Sequence, residues 1–138
     1  RVYALIGDGE FQEGQVWETL MSAPKFGLDN LVVILDYNKG QIDGPTAEVM
    51  NIDPVLEKVR AFRWDVQRID GHDFDAIDTA LSRTRRGDGV PSFIIADTVK
   101  GKGVSFMEGT VDWHGKAPDA TQTQTAIHEI ETYLRDLN

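Results

Sequence analysis

Two runs of five apolar residues, Val2-Tyr3-Ala4-Leu5-Ile6 and Leu31-Val32-Val33-Ile34-Leu35, constrain the fold of this chain more than anything else in it. Each run breaks off into polar, glycine-bearing residues: Gly7-Asp8-Gly9-Glu10 after the first, Asp36-Tyr37-Asn38-Lys39-Gly40 after the second. Little polar alternation within a run means that both faces need covering, which is the situation of strands in a buried parallel sheet. Between the runs, Glu13 to Ala23 places Val16, Trp17, Leu20 and Met21 at helical spacing, with Pro24 expected to end or kink the helix and Gly27 to mark its boundary. Strand, helix and strand make one βαβ unit, whose crossover is expected to be right-handed.

The rest of the chain continues the alternation. Val55, Leu56, Val59 and Phe62 fall at helical intervals, and Trp64 to Ile69 alternates as a less buried strand at the sheet edge would. Asp73 is a reasonable cap for a further helix with Phe74, Ile77 and Leu81 as its inner stripe, and Arg83, Arg85 and Arg86 form a solvated, dipole-matched end. Pro91 to Asp97 is a fourth strand. Residues 105 to 119 lose periodicity, as a lid or site loop would. In the terminal helix Ile127, Ile130, Leu134 and Leu137 share one face, which is expected to pack on the sheet or on another chain. The pattern predicts an α/β fold, a three-layer arrangement of a mostly parallel sheet with helices on both faces.

With 138 residues the chain has the size of one domain. It contains no cysteine, which removes disulfides and thiolate chemistry and fits a cytoplasmic setting. No apolar stretch approaches membrane-spanning length and no signal peptide is visible, so no membrane is expected as a partner. The net charge of −9 argues against nucleic acid. The sequence begins directly on a core strand without an initiator methionine, so an upstream N-terminal segment is expected to complete the sheet.

The chemistry concentrates at the strand ends. Gly7 and Gly9 hold Asp8 at the carboxyl end of the first strand, beside a helix start. A tight turn capped by Asp8 and a metal site are both open readings of that tripeptide. Parallel strands expose their carboxyl ends on one edge, so Asn38, thirty positions on, is expected to arrive near Asp8. A carboxylate, an amide oxygen and a carbonyl such as that of Gly40 suit a hard cation completed by phosphate oxygens, although Asn38 can also cap its own turn. Ile42 either seals the loop or supports a cofactor ring. Lys100-Gly101-Lys102-Gly103 can approach phosphates or form a surface loop. His114, before Gly115, can bond a phosphate or move a proton; an ordinary surface histidine is the other reading.

Taken together, Gly7 to Gly14 with Trp17-Glu18, Leu31 to Gly44, and Lys100 to Gly103 leading to His114-Gly115 resemble the thiamine-diphosphate-binding domain of transketolases. The stretches follow in family order over most of residues 1–138. The family commonly has asparagine or aspartate where Tyr37 stands, a departure that leaves Asn38 intact. The resemblance implies that Asp8, Asn38 and the carbonyl of Gly40 bind Mg2+ (or Ca2+), and that Gly7 and Gly9 contact the diphosphate of thiamine diphosphate. Ile42 corresponds to the residue packed on the thiazolium ring, and Lys100 to a position on its other side. His114 resembles a histidine that contacts the diphosphate and manages protons, and Glu13 a glutamate at the subunit interface. The implied activity is transfer of a two-carbon ketol unit between sugar phosphates, with xylulose 5-phosphate of the pentose phosphate pathway as a donor. It also implies a partner: the glutamate that activates the aminopyrimidine ring comes from a pyrimidine-binding domain that these residues do not contain, so a homo- or hetero-oligomer, such as a split transketolase, is expected. Alternatives are a 1-deoxy-sugar-phosphate synthase, a 2-oxoacid dehydrogenase component, or a non-catalytic structural or regulatory subunit. Gly7-Asp8-Gly9 lacks the spaced three-glycine fingerprint, which counts against a dinucleotide binder.

Overall fold

Strand β6 (Ser92–Asp97) is buried along nearly all its length, and β2 (Leu31–Tyr37) lies beside it. The computed structural model describes residues 1–84, 87 and 89–136, so Arg85, Arg86 and Leu137, named above, lie outside the described residues. With β1 (Val2–Gly7) and β5 (Asp65–Asp70) outside them, these strands form a four-stranded, wholly parallel sheet in the order β1-β2-β6-β5. A two-stranded antiparallel ribbon, β3 (Gly40–Gln41) and β4 (Gly44–Pro45), closes the turn after β2.

The period-2 alternation of the strands divides the core into two layers. Val33, Leu35, Phe93, Ile95 and Val66 meet α1 (Gly14–Lys25) and α3 (Val55–Ala61) through Leu20, Ala23, Val55 and Val59. Val32, Ile34, Ile94 and Ile69 face the other way, onto Ala80 and Leu81 of α4 (Phe74–Arg83). Helices therefore cover both faces of a parallel sheet, as the apolar runs require. A short helix α2 (Thr46–Val49) follows the ribbon, and α5 (Ala120–Asp136) ends the chain.

Four details differ from the sequence reading. First, α1 runs through Pro24 to Lys25 and ends at Gly27 (φ 62°), where Leu28 N–H bonds Ala23 C=O. A proline cannot donate to the carbonyl four residues back. Here that carbonyl, of Leu20, accepts the indole N–H of buried Trp64 at 3.0 Å. Second, Met21 lies on the apolar stripe but is exposed. Third, Phe74 is 85% exposed, so the inner stripe of α4 is Ile77, Ala80 and Leu81. Asp73 does cap this helix, accepting from Asp75 and Ala76 N–H, and Arg83 pairs with Asp65 at 3.1 Å. Fourth, Ile127, Ile130 and Leu134 of α5 are exposed, so of the two coverings expected for that face the sheet of this chain is not the one; β1 is an edge strand with Leu5 70% exposed, as a sheet expected to be completed by an upstream segment would have it. Periodicity marks which face is apolar; it does not say that this chain covers it.

Phe93 has no exposed surface and makes edge contacts with Phe11 and Trp64. Phe93→Ala is expected to lower the unfolding free energy by about 3–5 kcal/mol. Urea denaturation followed by tryptophan fluorescence measures it; a loss below about 1 kcal/mol would show that the layer under α1 and α3 is not packed around this ring.

Candidate thiamine diphosphate and metal site

The register Gly7↔Asp36 brings the turns after β1 and β2 to the same sheet edge. Asp8 caps neither following element: the 3-10 turn Glu10–Gln12 begins after Gly9 and α1 after Glu13, both without a side-chain cap. Instead the carboxylate is 1% exposed, and Oδ2 accepts the N–H of Gly40 at 3.1 Å. Gly40 N–H also reaches Asn38 Oδ1 at 3.0 Å, so Asn38 makes its own turn and faces Asp8 as well. Lys39 holds φ 64°, an unfavourable angle for a side-chain-bearing residue, and this turns the Gly40 amide toward the carboxylate. A Cβ on Gly40 would lie 2.9 Å from Val111 and 3.1 Å from Asn38 Oδ1, which fixes glycine there.

Asp8 Oδ1 is buried without a hydrogen-bond partner among the described residues. Burial pushes the Asp8 carboxyl up to about 6, opposed by the Lys39 and Gly40 amides and assisted by Asp36 and Asp53. An orphaned carboxylate oxygen next to an amide oxygen and a tight glycine turn is a donor set suited to a hard cation. Among the described residues no cluster of three or more His, Asp or Glu surrounds it, so ligand oxygens would have to complete the shell.

A groove of about 610 Å³ opens at this point. Gly7, Asp8, Gly9, Glu13, Asn38, Gly40, Ile42, Lys100 and His114 all line it, although they come from four separate parts of the sequence. Ile42 is 76% exposed, so it seals no core and presents its side chain to the groove. His114 is exposed and arrives on a loop in which Trp113 packs edge-on against Phe106 and donates to its carbonyl. Glu13 is exposed at the start of α1, and Gly7 N–H is held by Glu10 Oε2 at 2.8 Å.

The sequence reading gave no role in the site to the residues behind this front. Tyr37, at the position where the family pattern departs, is buried and donates to Asp53 at 2.7 Å; burial raises its phenol well above the ordinary range. Asp36 accepts the Asn38 amide at 3.1 Å and the Thr98 hydroxyl. The Asp70–Asp73 turn grips the exit of β6, with Val99 N–H donating to His72 Nε2 at 2.8 Å and Gly71 N–H to Asp97 C=O. These partners lie up to 62 positions apart, and only the polar character of each strand exit hinted at them.

The family model described as transketolase, thiamine diphosphate binding domain, matches residues 1–131. The chain belongs to the transketolase family. The 6-deoxy-6-sulfo-D-fructose transketolase subunit SqwG of Clostridium sp. (strain MSTE9) is 45% identical over 130 residues, which cover 94% of this chain and 47% of that protein. An apulose-4-phosphate transketolase subunit of Phocaeicola vulgatus is 38% identical over 137 residues, covering 99% of this chain and 49% of its own length. The chain thus spans about half the length of these curated relatives. In structure it is similar to the transketolase of Campylobacter jejuni, with a TM-score of 0.76 and 26% identity over 96% of this chain and 25% of that one.

The raised pKa of Asp8 has a defined sign. An acid whose folded pKa exceeds its ordinary 3.8 holds its proton more tightly when folded, so its contribution to stability is present below pH 4 and is lost as pH rises through about 6. Without cofactor or metal, the unfolding free energy of the parent is expected to fall relative to Asp8→Asn between pH 4 and 7, by on the order of 3 kcal/mol at about 1.4 kcal/mol per pKa unit. Urea titrations at several pH values check this; a constant difference between the two proteins would contradict it.

Proposed function

We propose that this chain supplies the diphosphate-binding half of the cofactor site in a transketolase-type enzyme that moves a two-carbon ketol unit from a ketose to an aldose. The observation that carries the reading is the buried oxygen of Asp8, without a partner among the described residues and set beside Asn38 and Gly40 in a groove that also receives Lys100 and His114. Asp8, Asn38 and the Gly40 carbonyl are the residues that would hold Mg2+, and Gly7 and Gly9 leave room for close approach of the diphosphate. Thiamine diphosphate, when bound, supplies the electron sink needed for cleavage of a carbon–carbon bond. The protein's part is to place and charge-balance it. Lys100 brings positive charge to the groove, Ile42 offers an apolar surface for a ring, and the imidazole of His114 is placed to donate to a phosphate oxygen and to take up or return a proton. Glu13, exposed at the groove rim, is placed for an adjoining subunit.

The relatives named as transketolase subunits support assembly with a second subunit that bears the pyrimidine-binding domain. Their names point to sugars outside the pentose phosphate pathway, so the donor is proposed as a ketose with an anionic terminal group, of which a sugar phosphate is one case. Cytoplasmic placement belongs to the same proposal. Among the described residues no helix is long and apolar enough to cross a membrane.

Calorimetric titration of the assembled enzyme with thiamine diphosphate, with and without Mg2+, tests the site. Binding is expected to weaken at least tenfold when Mg2+ is removed or when Asp8 is replaced by alanine; binding indifferent to both would refute the assignment. His114→Ala is expected to lower ketol transfer by roughly a hundredfold, the scale of general acid–base catalysis, with the assembly intact by native mass spectrometry. Unchanged turnover would return His114 to the ordinary surface.

A further inference from the structure

An asparagine amide is nearly symmetric in shape, and its two ends have opposite chemistry: oxygen accepts and can ligate a cation, while NH2 donates and repels one. The Asn38 side chain is half-buried beside Asp8, so a flipped amide would fit the same space and present the wrong end. Something must break the symmetry. The Gly40 N–H favours Oδ1 on its side, but that N–H is shared with Asp8 Oδ2 and is a weak arbiter alone.

Asp36 stands on the other side of the amide. Its Oδ2 accepts from the Asn38 NH2 at 3.1 Å, so the donor end of the amide is the end that faces Asp36. Its second oxygen, Oδ1, takes the Thr98 hydroxyl, which keeps the carboxylate from rotating away. Thr98 is in turn confined. A Cβ on Gly71 would come within 2.5 Å of its methyl, and the neighbouring Val99 N–H is tied to His72. Asp36 itself belongs to the sheet, opposite Gly7 on one side and Ala96 on the other. A rigid acceptor therefore addresses the donor end of Asn38 from the strand and leaves Oδ1 for the site.

We propose that Asp36, steadied by Thr98, is the positioning residue that fixes the Asn38 amide with its oxygen toward the cation held at Asp8. This rests on the metal-site reading above. Partners of this kind behind a metal ligand typically account for about 10–100-fold in metal affinity.

The test is Mn2+ binding to the assembled enzyme in the presence of thiamine diphosphate, read from the paramagnetic resonance signal of free Mn2+, with far-UV circular dichroism as a fold control. Asp36→Asn keeps the shape and offers a donor where only an acceptor stood; a loss of tenfold or more in Mn2+ affinity is expected. The exchange Asp36→Asn with Asn38→Asp restores a donor facing an acceptor and gives the cation a carboxylate that is correct in either orientation. It is expected to bind Mn2+ within about threefold of the parent. Thr98→Val leaves Asp36 in place and is expected to weaken binding threefold or more, which keeps the test open if Asp36→Asn does not fold. Affinity within twofold of the parent for Asp36→Asn or for Thr98→Val, or a folded exchange variant that recovers nothing, would overturn the proposal. Asp8→Ala is run alongside. If Mn2+ binding survives in Asp8→Ala, the site reading falls and takes this inference with it. If it is lost there and kept in Asp36→Asn, only the role of Asp36 falls.

Discussion

Taking the Asp8 carboxylate out of water sets the terms for everything around it. A buried charge without compensation is unfavourable by several kcal/mol, and the fold answers on one side of the group only, with main-chain amides of the Lys39-Gly40 turn bonded to it. That answer needs a residue at positive φ and a glycine with no room for a side chain. The other oxygen of the carboxylate, at the groove that Asp8 helps line, has no hydrogen-bond partner among the described residues. Incomplete satisfaction of this kind weakens a purely structural turn and is what a cation-binding turn requires.

The sheet makes this arrangement possible. Parallel pairing of β1, β2 and β6 puts the ends of three strands on one edge, so residues that share no neighbourhood in sequence meet there without any long-range loop closure of their own. Asp8 arrives from the first strand, Asn38 and Gly40 from the second, and Thr98 and Lys100 from the third. His114 arrives on a turn-rich loop that packs its own tryptophan to hold its shape.

Much of this was legible in the sequence. The unbroken apolar runs announced parallel strands, and the polar residues at their ends announced the sheet edge on which the candidate site residues gather, since polar groups following a buried strand must leave the core together. The nine residues expected to form the site all line one groove. Pattern alone could not decide what covers an apolar face: Leu5, Phe74 and Ile127 carry the expected periodicity and remain exposed. Nor could it foresee Asp36 and Thr98, whose relation exists only across the β2–β6 pairing. Pro24 was read by a local rule, and the tertiary structure overrode it by giving the freed carbonyl another donor.

That carbonyl has a mechanical meaning. Along the interior of α1 the helix uses its own acceptors rung by rung, and Leu20 is the rung that Pro24 leaves vacant. The indole of Trp64, anchored just ahead of β5, can latch there and at no equivalent position one turn away. The helix is thereby indexed against the far edge of the sheet like a rod held by a pin. Glu13 and the turn that carries Asp8 lie toward the other end of that rod, so an N–H missing at Pro24, remote from the groove, frees the acceptor that ties the helix to the chain entering β5.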